Sequence, residues 1–209
     1  MSTFIQLKNF IEWLLVEMSG LDTFVKIPKE RVGTLIGEEG RTKKHIEDKL
    51  HAKIDVDSEG SVTITLTEGA ADPSVLLKAK DIVTAIGRGF SPEIAFRLIR
   101  DEDEIFDLID LRQIFGRSES DIKRIKGRII GADGKTRRLI EELSEANVAV
   151  YGHTVGIIGS FEQADTAHNA VQMIIEGCQH HTVYKYLQKK RSELKKEKLE
   201  LWEKPAGKK

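Results

Sequence analysis

The chain contains itself twice, and this duplication limits its possible folds more than any other feature. Residues 31–56, RVGTLIGEEGRTKKHIEDKLHAKIDV, fall within residues 120–150, SDIKRIKGRIIGADGKTRRLIEELSEANVAV, at a shift of 94. The shift sets Gly37 on Gly131, Gly40 on Gly134, Arg41 on Lys135 and Thr42 on Thr136. Lys43 and Lys44 fall on Arg137 and Arg138, and Ile46-Glu47 on Ile140-Glu141. Ala52, Ile54 and Val56 meet Ala146, Val148 and Val150; with one residue removed from the next turn, SVTITL (61–66) meets TVGIIG (154–159). Two copies are too few for a solenoid, which buries its faces only by stacking more of them. Each copy must therefore close a core of its own, and 209 residues suffice for two small domains.

Within the first copy, FVKI (24–27) predicts a short strand, and Pro28 suits the start of a helix running to Ile36. After the glycine turn come a helix from Arg41 to Leu50, the alternating strand AKIDV, a turn at SEG, the strand SVTITLT and a closing helix from Pro73 to Arg88. The order is βααββα, an α+β domain. In the second copy EIFDLIDLR (104–112) supplies the strand, and Ser118 caps the helix before the turn, with Asp121 in place of the usual Glu. Between the copies Ser91-Pro92 opens a short helix, and Asp101 to Glu104 form an acidic hinge. Ahead of both, Phe4, Leu7, Ile11, Leu14, Leu15 and Met18 recur at helical spacing and predict an amphipathic helix. The expected division is an N-terminal helix over 1–20, a first domain over 21–92, a second over 93–183 and a basic helical tail over 184–209.

Charge is placed unevenly. The net charge is −1, yet ten Lys or Arg against four Glu from Tyr184 onward give the tail +6 and leave −7 for the body. Such asymmetry points to a polyanionic partner. Leu187, Leu194 and Leu201 at sevenfold spacing predict that the tail is a helix packing by one narrow stripe.

The turn IIGADGKTRR (129–138) admits three readings: the end of a nucleotide-triphosphate loop, a backbone turn that holds a nucleic-acid phosphate, or simply a helix start. A nucleotide-triphosphate loop needs a glycine five residues before the glycine of GKT, where this chain has Ile129, and a strand rather than a helix before it. A dinucleotide fingerprint lacks its third glycine. The second reading fits better: a turn between two helices with glycine at both ends can lie flat, since no side chain keeps a ligand backbone away. The helix that follows points its free N–H groups and positive dipole end at the turn, and Lys135, Arg137 and Arg138 add charge. A strand pair beside the helices completes a groove for single-stranded nucleic acid, phosphates on the glycine side.

GxxG between two helices, followed by two strands and a helix and present twice, resembles the KH family of RNA-binding modules. It matches the type I order, in which the strand pair follows the turn, over residues 24–89 and 104–178. The resemblance implies two tandem KH domains, each a three-stranded antiparallel sheet packed by helices. KIPKERVGTLIGEEGR, IGRGFSPEIAFRLI, KGRIIGADGKTRRLIEEL, YGHTVGIIGSFEQADTAHNAV and TVYKYLQKKRSELKK together resemble the archaeal two-KH ribosome assembly and rRNA-processing factors. That likeness implies an RNA-binding, non-enzymatic protein near the 3′ end of small-subunit rRNA, with assembly or initiation proteins as partners. One departure is shared by both copies: the third residue after the second glycine, apolar in many KH modules, is Lys43 and Arg137.

The copies are not equal. The first turn reads Gly-Glu-Glu-Gly and the second Gly-Ala-Asp-Gly. A carboxylate about 6 Å from a phosphate costs ~0.7 kcal/mol in water and up to ~3 kcal/mol at an effective dielectric of 20. Residues 27–44 carry five basic and three acidic side chains, and the equivalent 121–138 carry seven and two, through Lys123, Arg124, Lys126 and Arg128. The expected RNA site is therefore Gly131, Ala132, Asp133, Gly134, Lys135, Arg137, Arg138 and Arg128, with Ile130 and Val148 meeting bases. Ile129 and Val150 are further candidates for base contact, although core positions read the same way. Gly37, Gly40, Arg41, Lys43 and Lys44 form a weaker site, in a domain that serves as scaffold or partner surface. A protein-interaction scaffold with vestigial grooves is the alternative.

Other chemistry finds little support. Cys178 is the only cysteine, so an intrachain disulfide is excluded and a reducing cytoplasm fits best. Cys178, His180, His181 and His168 do not give the four arranged ligands of a zinc site, and no cofactor or metal is expected. No serine or cysteine has an evident base beside it. A metal-dependent nuclease using Asp101 to Asp110 lacks two carboxylates placed across a cleft. Lys8, Glu12 and Glu17 interrupt the first apolar run, which argues against a signal peptide or membrane span.

Overall fold

The structure, a computed structural model, describes residues 22–67 and 74–203; the amphipathic helix expected over 1–20 lies outside them. The chain divides into two units, residues 1–100 and 101–209.

In the first unit the elements are β1 (Asp22–Lys26), α1 (Lys29–Ile36), α2 (Arg41–Leu50), β2 (Ala52–Val56), β3 (Ser61–Leu66), α3 (Ser74–Gly87), α4 (Pro92–Ala95) and α5 (Arg97–Arg100). The sheet order is β1-β3-β2, with both outer strands antiparallel to β3. The alternation in sequence decides the buried face: Ile54, Val62 and Ile64 are buried, while Lys53 and Asp55 are exposed. Helix α3 covers that face with Leu76, Ala79, Ile82, Val83 and Ile86, spaced for one stripe. Leu35 from α1 and Ile46 from α2 complete the core.

Helices α4 and α5, grouped in the sequence reading with the second copy, cluster instead with the first, because Ala95 and Leu98 are buried and both helices pack on α3.

The second unit repeats the plan with β4 (Glu104–Asp110), α6 (Leu111–Phe115), α7 (Glu119–Ile130), α8 (Lys135–Ser144), β5 (Asn147–Tyr151), β6 (Thr154–Ser160), α9 (Phe161–Ile175) and α10 (His180–Glu203). Its sheet order, β4-β6-β5, is that of the first unit. The core gathers Ile122, Ile125 and Ile129 of α7, Ile140 of α8, Val148, Val155 and Ile157 of the sheet, and the alanine-rich face of α9.

Two features depart from expectation. The strand expected to reach Arg112 ends at Asp110, whose carboxylate accepts the Arg112 N–H at 2.8 Å and starts the unexpected helix α6. The tail helix begins at His180 rather than beyond 183, and Val183 and Leu187 are fully buried in the second core. Burying two such side chains is worth ~1.5–3 kcal/mol each. The first turns of the tail thus belong to the domain.

Ser118 also behaves differently from a simple cap. Its hydroxyl donates to Asp121 at 2.6 Å instead of receiving a helix N–H. That bond, with a second from Arg124, holds the Asp121 carboxyl below its ordinary pKa.

Candidate nucleic-acid interface

The turn between α7 and α8 has a conformation that only its sequence pattern permits. Gly131 sits at φ 72°, Asp133 at φ 49° and Gly134 at φ 75°. A Cβ on Gly131 would run into the side chain of Thr136, which folds back beneath the turn. At Gly134 the need is for positive φ alone, since the nearest atom to an added Cβ is Arg138 Nη1 at 3.5 Å. Asp is among the residues that tolerate left-handed geometry best. Ala132 and Asp133 are exposed, so the bend stands open for a strand to lie across. Helix α8 starts from Gly134 with neither a capping side chain nor an acidic residue in its first turn, which leaves its dipole end to an outside anion.

Of the expected cations, Lys135 and Arg138 are exposed on this first turn and make no ion pair among the described residues. Arg137 faces the sheet. Its Nη1 lies 3.3 Å from the carbonyl oxygen of Val148 and 3.7 Å from Glu141 Oε1, and Glu141 accepts the Val148 N–H at 3.0 Å. Strand β5 is an edge strand, so Arg137 and Glu141 together occupy both outward backbone groups of Val148. The first copy repeats half of the device: Glu47 accepts the Ile54 N–H at 2.8 Å, with Lys43 3.9 Å away. The aligned Glu47 and Glu141 were visible in the duplication, but nothing in sequence tied them to a strand edge.

Three expected contacts require correction. Arg128 does not stand beside the turn. Its guanidinium donates to the Ile174 carbonyl at 2.8 Å and the Cys178 carbonyl at 2.5 Å, closing the C-terminal end of α9. Arg31 does the same in the first unit, to Ile86 at 2.8 Å and Phe90 at 2.6 Å. It works from a position one helical turn earlier in the alignment, which is why the shift did not pair the two arginines. The Val148 side chain is buried, leaving only its backbone at the edge, and Ile129 is fully buried as well. Both belong to the core cluster of the second domain. Ile130 and Val150 are partly exposed.

The first turn has the same backbone, with Gly37 at φ 74°, Glu39 at φ 53° and Gly40 at φ 77°. Its electrostatics differ. Arg41 pairs with Glu39 at 2.9 Å inside the turn, and Lys43 leans on Glu47, leaving Lys44 with no ion pair among the described residues.

Elsewhere, His168 Nδ1 contacts Asp107 Oδ2 at 2.6 Å and His180 Nε2 lies 2.9 Å from the Arg128 carbonyl oxygen, so the two histidines serve different partners. Among the described residues no helix is long and apolar enough to cross a membrane.

Known proteins share this architecture. Residues 105–192 match the eukaryotic-type KH domain (KH type I), and residues 22–85 match the KH domain. A KH domain-containing protein of Methanocaldococcus jannaschii is 48% identical over 180 residues, covering 86% of this chain and 78% of that protein. Dim2p of Pyrococcus horikoshii is 48% identical with a TM-score of 0.71, covering 80% of this chain and 98% of that one. A chain in the a/eIF2alpha–aDim2p–rRNA complex of the same organism is 47% identical with a TM-score of 0.75, covering 82% and 94%. With both modules matched, each built on an open GxxG turn, this chain belongs to the KH family as a two-KH-domain protein of the archaeal Dim2p kind.

Proposed function

We propose that the second KH domain grips single-stranded RNA across the Gly131–Gly134 turn, and that the RNA is the 3′ end region of small-subunit rRNA during ribosome maturation. The observation that carries the reading is the exposed turn with Lys135 and Arg138 on the first turn of α8, neither in an ion pair among the described residues. The family supplies the ligand class, and the rRNA complex that contains the Pyrococcus relative supports the target. The first domain, with Arg41 neutralised by Glu39, is the weaker RNA site and serves as partner surface for an assembly or initiation protein. Phe24 and Leu77, at 68% and 64% exposure, are apolar side chains available for that role.

The test is a salt-controlled titration of the full chain with single-stranded RNA. Lys135→Ala with Arg138→Ala should weaken binding much more than Arg41→Ala with Lys44→Ala. With about four phosphates neutralised, the logarithmic salt slope should be near −3. Equal losses would refute the asymmetry, and no preference for the rRNA 3′ sequence over a scrambled one would refute the target.

A further inference from the structure

Helix α10 carries the positive charge that sets the tail apart in the sequence, and the structure sorts that charge by face. Residues 180–192 contain Lys185, Lys189, Lys190 and Arg191 and no carboxylate. A helix that merely faces water interleaves both signs at i,i+4 more often than it carries one sign alone. One face of α10 is anchored: Val183 and Leu187 are fully buried and Leu194 is half-buried. Tyr184 meets Thr136 at 3.0 Å, and Arg191 Nη1 lies 4.0 Å from Glu142. These two contacts come in the same order along both helices. Helix α10 therefore runs beside α8 in the same direction and begins level with the glycine turn.

Helical rotation of about 100° per residue then fixes the opposite face. Lys185, Lys189, Ser192 and Lys196 stand on it, at steps of four, three and four, with Gln188 and Lys195 along one flank. All six are exposed. Lys185, Lys195 and Lys196 make no ion pair among the described residues. Lys189 lies 3.7 Å from Glu193, which it shares with Lys190 at 3.6 Å. From Lys185 to Lys196 the row covers ~16 Å of helix, at 1.5 Å per residue. Its side chains are of the kinds that bind phosphate and sugar oxygens. None of the six is aromatic or apolar, so the row gives an unpaired base nothing to stack on.

We infer that the exposed face of α10 holds the backbone of base-paired RNA, its lysines and Ser192 lying along the phosphates of a stem. A straight row of cations on an anchored helix matches the fixed phosphate positions of a duplex, which a flexible strand does not present. Duplex RNA is recognised mostly by shape and by its phosphates and 2′-hydroxyls, so a face without stacking side chains suffices for it. The choice of RNA among polyanions rests on the ligand class of the family. The surface itself is separate from the Gly131–Gly134 turn and does not depend on the grip there.

The experiment measures binding of the full chain to a blunt RNA hairpin, to the same hairpin with a single-stranded 3′ overhang, and to the overhang alone. The variant is Lys185→Gln with Lys189→Gln and Lys196→Gln. Glutamine has the helix propensity of lysine and Glu193 keeps Lys190, so the melting temperature should not change. Binding should fall ~tenfold or more on both hairpins, with a salt slope shallower by ~2–3, and by less than ~twofold on the overhang. Removing the same charge from exposed lysines of the first domain, by Lys49→Gln with Lys53→Gln and Lys80→Gln, should leave all three affinities unchanged. An equal loss on the overhang, an equal loss in that control, or no loss on the hairpins would overturn the inference. So would a loss confined to a polyglutamate peptide, which would assign the face to an acidic protein. Lys135→Ala with Arg138→Ala reports separately on the grip: it should weaken the overhang and spare the blunt hairpin. Its failure would strike the reading of the turn and leave that of α10 standing.

Discussion

The hydroxyls of Thr136 and Tyr184 lie 3.0 Å apart, joining the first turn of α8 to the C-terminal helix. Thr136 is the side chain that fills the space where Gly131 lacks a Cβ. The tail therefore braces the turn from behind, through a residue that no RNA needs to touch. Removing the Tyr184 hydroxyl with Tyr184→Phe leaves ring packing intact and deletes one part-buried hydrogen bond. Stability should fall by about 0.5–1.5 kcal/mol, measured by urea unfolding. The double variant with Thr136→Val should show less than additive loss, because the bond is then gone on both sides. Full additivity would mean that the two hydroxyls do not act on each other.

Arg128 supplies a second test, because charge alone marked it as an RNA contact while its geometry marks it as a helix clamp. Arg128→Met keeps the apolar stem and strips two charge-assisted bonds from the Ile174 and Cys178 carbonyls. Each such bond is worth ~1.5–3 kcal/mol, so the second domain should lose at least ~2 kcal/mol. The salt slope of RNA binding should not change at temperatures where the variant remains folded. A slope shallower by ~0.7 with stability intact would restore the phosphate role.

What could be read from the sequence depended on the period of each signal. The duplication revealed the element order and both turns, because glycine spacing and strand alternation are local and occur twice. Helix α6 was missed because LRQIF is too short to show a helical period, and its start depends on the Asp110 cap. The placement of Val148 and Arg128 was also hidden. An apolar residue on a strand reads the same whether its side chain or its backbone faces the groove. An arginine one turn from a glycine loop reads the same whether it points forward to a ligand or sideways to the next helix. Tertiary packing alone separates those cases.

Asp81, on α3 of the first domain, gives a pH-dependent prediction. Burial raises its carboxyl pKa above the ordinary 3.8, and Lys80 opposes the shift only in part. A raised folded-state pKa means that the folded chain binds the proton more tightly than the unfolded one. Stability therefore falls as pH rises from the unfolded value through the folded one, and the ionised carboxylate is a liability at neutral pH. Asp81→Asn should raise the stability of the first domain at pH 7, and the gain should vanish only well below the ordinary carboxyl value of 3.8, where both states are protonated. Denaturation midpoints across that range decide it; a gain that persists in acid would point to a cause other than desolvation.

Glu39 combines two costs in one residue. It holds a left-handed backbone at φ 53°, which glycine adopts freely, and its carboxylate neutralises Arg41 at 2.9 Å. Both side chains are more than two-thirds exposed, so the pair itself contributes at most ~1 kcal/mol. Relief of left-handed geometry is worth ~1–2 kcal/mol, against ~0.5–1 kcal/mol for the greater chain freedom of glycine. Glu39→Gly should therefore be neutral to slightly stabilising. It should also change what the first turn can do, because Arg41 is released and a carboxylate about 6 Å from an incoming phosphate disappears. With ~0.7 kcal/mol of repulsion removed, single-stranded RNA should bind the first domain about threefold more tightly at low salt. The measurement uses the full chain with the second turn silenced by Lys135→Ala and Arg138→Ala. The gain should shrink as salt is raised towards physiological strength, where screening acts within ~8 Å. An unchanged affinity at low salt would show that the first groove fails to hold RNA for reasons other than Glu39.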